Sequence, residues 1–112
     1  MSSTYINFLE DRGRPLSEIN PGSDELALKL EDALEAIKIL QNANLAILGG
    51  DILSESSGKL VYTYENWYCE KMNQETNSDY CNRSYMTAKN YLNNLIKNNS
   101  RNRYVVFVTQ KF

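Results

Sequence analysis

Asp51, Glu65 and the phenols of Tyr62, Tyr64 and Tyr68 are the side chains of this sequence best suited to acid–base or hydrogen-bonding chemistry. A carboxylate moves protons at neutral pH only where burial or a neighbour shifts its pKa, and it needs a group to orient it. No such partner pattern is present. The chain has no histidine, which removes the commonest general acid–base and excludes Ser–His and Cys–His nucleophile pairs. Its two cysteines, Cys69 and Cys81, form no CxxC pair, and a zinc site needs about four ligands. Two reduced thiols are expected, with Cys81 on a buried helix face; a disulfide requires an oxidising compartment. Leu48-Gly49-Gly50-Asp51 is not a phosphate loop, because the GxxxxGK[ST] pattern is absent and no helix follows. No catalytic residue, cofactor or metal site is assigned. A small enzyme or ligand-binding domain using Asp51, Glu65 and the tyrosines around a pocket is the alternative reading.

Binding to another protein is the better reading. Tyr62-Thr63-Tyr64-Glu65-Asn66-Trp67-Tyr68 holds four large aromatics in seven residues. Such side chains combine apolar area with a polar handle and dominate both interfaces and cores. Alternate spacing favours Tyr62 and Tyr64 as half-buried sheet residues. Trp67 either anchors the loop at the strand end or meets a partner. Asp51 either ties down the glycine turn or projects outward. The candidate partner-binding set is Asp51, Glu55, Glu65, Trp67, Tyr68 and Glu70, four acids around two aromatic anchors.

Charge is unevenly distributed. Residues 1–79 carry all 14 acids and six bases, a net of −8, and residues 80–112 carry six bases and no acid, +6. An acidic face steers a basic partner; equally, the two halves can neutralise each other. Bases interleaved with Tyr80, Tyr85, Tyr91 and Tyr104 suggest nucleic-acid binding, but the isoelectric point near 5.1 and the absence of a recognised motif argue against it. No stretch approaches the ~20 apolar residues of a membrane span. Met1-Ser2-Ser3-Thr4-Tyr5 has no basic region followed by an apolar run, so a cytoplasmic protein is expected.

One domain over residues 1–112 must position these side chains. A short helix is expected over 3–12, ending near Gly13, followed by an extended Pro15–Ile19 and a turn at Asn20-Pro21-Gly22-Ser23. Apolar positions 26, 30, 33, 34, 37 and 40 have helical spacing, with the start at either Asp24 or Leu30 and the stop near Asn42 or Asn44. Leu45–Leu48 reads as a buried strand that Gly49-Gly50 breaks or bulges. After a polar turn at 54–58, residues 59–68 read as its hairpin partner, Leu60, Tyr62 and Tyr64 facing one way. Thr76 is placed to cap a helix through position 79, with Cys81, Tyr85, Ala88, Leu92 and Leu95 as its buried stripe and Asn98-Asn99-Ser100 as its end. Tyr104–Val108 is apolar on both faces and belongs inside the sheet. The fold class is α+β, a small mostly antiparallel sheet packed against two or three helices.

These residues also resemble a known family. Arg14-Pro15-Leu16-Ser17-Glu18-Ile19, Ala27-Leu28, Glu31–Ile37, Ala46-Ile47-Leu48-Gly49-Gly50-Asp51 and Tyr62–Tyr68 follow one another as in the immunity protein 40 family, and the Ser84–Tyr91 and Tyr104–Val108 segments also fit. The resemblance spans about residues 12–110. It implies a bacterial protein of a polymorphic toxin or contact-dependent inhibition system. Such a protein binds and neutralises a cognate toxin domain, without enzymatic activity, in the producing cell. The Asn20–Ser23 turn departs from the shorter glycine-containing turn expected there.

Overall fold

The structure, a computed structural model, describes residues 3–98 and 102–112. In chain order it runs α1 (Ser3–Arg12), β1 (Arg14–Pro15), a 3-10 turn (Leu16–Glu18), β2 (Leu26–Lys29), α2 (Leu30–Asn42), β3 (Leu45–Ser56), β4 (Lys59–Tyr68), α3 (Asn77–Lys97) and β5 (Arg103–Lys111). All strand pairs are antiparallel, in the order β1-β2-β5-β3-β4. The expected α+β class and the β3–β4 hairpin are present, and β5 lies inside the sheet.

Local chemistry sets the element ends. Asn44 adopts φ 59 two residues after α2, the left-handed conformation that asparagine tolerates. Ser57 and Gly58 take φ 53 and 82 between the paired residues Ser56 and Lys59, the two-residue hairpin turn whose twist matches the strands. The Thr76 hydroxyl accepts the Asp79 N–H at 3.1 Å and caps α3. α3 ends at Lys97; Asn99 and Ser100, read as part of its end, lie outside the described residues.

Three expectations are corrected. Leu26 belongs to β2 rather than to the helical stripe, because Leu26–Lys29 pairs with β1 and β5, so that of the two starts offered for α2, Asp24 and Leu30, the helix takes Leu30. Sheet pairing overrides the apolar spacing there. Of the expected extended segment Pro15–Ile19 only Pro15 is extended, as the end of β1; Leu16 then turns inward on a 3-10 turn, and the Ile19 N–H bonds its carbonyl at 3.0 Å. Of the two alternatives at the glycine pair, the break is overturned and the bulge is present: β3 continues to Ser56, with a register shift between Ile47 and Gly49 and a second between Asp51 and Leu53.

The sheet has two unlike faces. The main core, with Leu28, Ile37, Leu40, Ile47, Ile52 and Val105, fills the side covered by the helices. A smaller cluster of Leu16, Ala27, Leu53, Leu60, Tyr104 and Val106 lies on the other side, beneath the 3-10 turn. Ser84 is fully buried in the α3 stripe. It donates to the Cys81 carbonyl at 2.7 Å and accepts the Ile47 N–H at 3.0 Å, where β3 shifts register.

Candidate functional site

Directly paired residues of antiparallel strands share a face, and neighbours along a strand alternate. Trp67, Gly50 and Phe107 form one row across β4, β3 and β5. This row faces the helices, for Trp67 stacks on Tyr91 of α3 with ring centroids 4.7 Å apart and meets Phe107 edge-on at 6.1 Å. The adjacent rows, Asn66–Asp51–Val106 and Tyr68–Gly49–Val108, face the opposite way. The 3-10 turn covers only part of that side, and Tyr68 is 75% exposed and Val108 43% exposed.

β4 adds a second feature. The register shift between Asp51 and Leu53 leaves Thr63, Tyr64 and Glu65 as a bulge opposite Ile52. The Thr63 hydroxyl closes the bulge, donating to the Ile52 carbonyl at 2.6 Å and accepting the Glu65 N–H at 3.1 Å. Tyr64 sits at its apex with φ 66 and is 88% exposed. A bulky residue in the left-handed region is an outlier that costs ~1–2 kcal/mol. The half-buried position expected for Tyr64 is thereby corrected, since the bulge interrupts the alternation; Tyr62, which pairs with Leu53 before the bulge, is 42% exposed, its ring centroid 6.5 Å from that of Tyr64.

The six residues singled out in the sequence divide. Asp51 and Tyr68 share the uncovered face. Trp67, 7% exposed, is a core residue, for burial of an indole in a three-ring stack outweighs its place at a strand end. Glu65 pairs with Arg103 on the helix side of the sheet, away from Asp51. Glu55 is held by Arg14, whose guanidinium contacts it at 2.5 Å, Glu18 at 2.8 Å and the Gly58 carbonyl at 2.5 Å. These bonds keep the Glu18 carboxyl below the usual carboxylate range, with help from the Leu60 N–H. Glu70 is exposed beyond β4, and its carbonyl accepts from Arg83 at 2.6 Å. The four acids therefore make no single acidic face. Pairing of Glu65 with Arg103, and of Glu75 with Arg83 at 2.7 Å, joins the acidic and basic parts of the chain.

Asp51 and Glu65 lie on opposite sides of the sheet, so the geometry does not bring them together around a pocket. Cys69 is buried, Cys81 is partly buried, and both are free thiols. Among the described residues no group of three His, Cys, Asp or Glu side chains is gathered as metal ligands, and no helix is long and apolar enough to cross a membrane. Tyr64 and Val108 were missed as surface residues. A bulge carries no mark in an alternating strand sequence, so no signal for Tyr64 was available before its register was known.

The arrangement defines a class: a small α+β domain that leaves one side of its sheet partly uncovered and lined with tyrosines. The family described as Immunity protein 40 matches residues 15–109, most of the chain, and the protein belongs to that family. No curated protein and no solved structure matches it.

Proposed function

We propose that this immunity protein binds a cognate toxin domain through the uncovered sheet face around Tyr64, Tyr68 and Asp51, and that binding alone neutralises the toxin. The reading places it in the cytoplasm of a bacterium carrying a polymorphic toxin or contact-dependent inhibition system. No catalytic step is required of it. One observation carries the choice of face: Tyr64 is held in a costly backbone conformation and is almost fully exposed. Strain that buries nothing contributes nothing to folding, and strained residues cluster at functional positions. Tyr68 and Tyr62 extend the same surface, and tyrosine is among the residues that concentrate binding energy. Buried Trp67 supports the face from beneath. Asp51 adds one carboxylate suited to a cation on the toxin, acting chiefly on approach and orientation.

The test is co-expression with the C-terminal domain of the product of the neighbouring reading frame. Wild-type protein protects the cells, and a Tyr64→Ala/Tyr68→Ala variant of unchanged fold loses protection, with affinity reduced roughly 30-fold or more, the scale of a binding hot spot. Full protection by that variant sinks the choice of face. Failure of the wild type to protect sinks the function.

A further inference from the structure

β5 is an interior strand for only part of its length. β2 pairs with Tyr104 and Val105, whereas β3 pairs along β5 from Arg103 to Lys111. From Val106 to Lys111 the strand thus has a neighbour on one side alone. In an antiparallel ladder alternate residues direct their N–H and C=O to opposite sides, so every second residue of this stretch offers its backbone outward. The outer strand β4 is a poorer template, because the shift between Asp51 and Leu53 interrupts it.

A cleft of about 430 Å³ lies against Val106, Phe107 and Thr109 in the free part of β5, between α1 and the start of β2. Leu9, Leu26 and Phe107 give it apolar walls, and Glu10, Asp24 and Glu25 line it as well. Among the described residues no cation lines the cleft and none of the three carboxylates has an ion-pair partner. Close packing fixes one end: a Cβ on Gly13 would lie 2.5 Å from the Leu9 carbonyl oxygen and 2.7 Å from the Leu26 Cβ.

We propose that this cleft takes an extended, basic segment of a partner protein, which joins the sheet as a further strand beside residues 106–111 of β5. Six paired residues span roughly 20 Å at the usual strand rise. Main-chain hydrogen bonds supply most of the affinity of such a strand, and pockets for alternate side chains supply the selectivity. Apolar side chains of the segment meet the Leu9 and Phe107 walls, and its cations reach Glu10, Asp24 and Glu25, which line the same cleft. Exposed ion pairs add little affinity, so the carboxylates act by favouring basic over acidic segments. The proposal concerns a surface separate from Tyr64, and Tyr64→Ala leaves it unaltered.

The probe is an acetylated, amidated heptapeptide alternating lysine and valine, titrated into the intact ¹⁵N-labelled protein. Amide shifts are expected at residues 106–111 and at Leu9 and Leu26. Affinity falls about tenfold or more when glutamate replaces the lysines, and likewise in a Glu10→Lys/Asp24→Lys/Glu25→Lys variant. All three acids are exposed, so the fold persists and the variant's own spectrum verifies it. Two further peptides, N-methylated at odd or at even positions, separate strand addition from simple charge attraction: one loses binding and the other keeps it. The proposal is overturned if both methylated peptides bind like the parent, if the shifts fall outside the cleft, or if no binding is seen at about millimolar peptide.

Discussion

The Trp67 indole lies against Gly50 so closely that a Cβ there would meet its Cη2 at 2.5 Å and its Cζ3 at 2.7 Å. The indole cannot retreat, being stacked on Tyr91 and bounded by Phe107. At Gly49 a Cβ would meet the Trp67 carbonyl oxygen at 2.2 Å, a backbone atom. The glycine pair therefore exists to let β4 and its tryptophan approach β3, not to end a strand. Gly50→Ala should destabilise by about 1–3 kcal/mol, the usual cost of overpacking, and Gly49→Ala by more, since backbone cannot rotate away. Urea unfolding measures both. Losses of a few tenths, or the reverse ranking, contradict this packing.

Tyr64 should show stability and binding pulling apart. Tyr64→Gly or Tyr64→Asn suits φ 66 better and should leave stability unchanged or raise it by up to ~1 kcal/mol. The same variants should weaken toxin binding. A clear loss of stability on Tyr64→Gly would show that the ring contributes to folding.

Asp51 and Glu65 should behave oppositely, although both are exposed acids. Asp51→Lys should slow association with a basic toxin, and the effect should shrink as salt rises. Glu65→Lys breaks the Arg103 pair on the other side of the sheet and should leave the association rate almost unchanged. Equal effects of the two reversals contradict the division of faces.

Arg14 links β1 to the β3–β4 hairpin through Glu55, Glu18 and the Gly58 carbonyl. Arg14→Met should cost roughly 1–3 kcal/mol, because it removes several charge-assisted hydrogen bonds in a partly buried position. Glu55→Gln, which retains an acceptor, should cost less. Thermal unfolding of the two variants checks the order.

Acid should weaken the fold through Glu75. The Arg83 guanidinium, with help from the Met72 N–H, lowers its carboxyl from the ordinary 4.5 to about 2. A folded pKa below the unfolded one gives stability that is fully present above the ordinary value and lost as pH falls toward the folded one. The unfolding midpoint should thus fall between about pH 4.5 and pH 2, and Glu75→Gln should flatten that decline. Glu18, lowered by Arg14, adds a loss of the same sign. A variant that follows the wild-type pH curve assigns the loss to other carboxylates.

The local elements were largely legible in the sequence. The Thr76 cap, the ends of β4, the Asn42–Asn44 stop and the apolar β5 each depend on residues within a few positions of one another. The resemblance to the immunity protein 40 family was legible for the same reason, since order and spacing along the chain carried it. Leu26 was misread because strand pairing holds the whole segment, Leu26 with Pro15 of β1 and Leu28 and Lys29 with the remote Val105 and Tyr104 of β5, and that pairing outweighs a helical spacing that is only a local preference.

The candidate face divides along the same line. The sequence by itself determined that this is an α+β domain with an aromatic strand beside a Gly-Gly-Asp segment and no histidine chemistry. Only the tertiary structure decided which of those aromatics meets solvent. Facing along a strand is fixed by register, and one bulge reverses it. The bulge at Thr63–Glu65 turned Tyr64 outward, burial claimed Trp67, and pairing with Arg103 placed Glu65 on the side of the sheet away from Asp51.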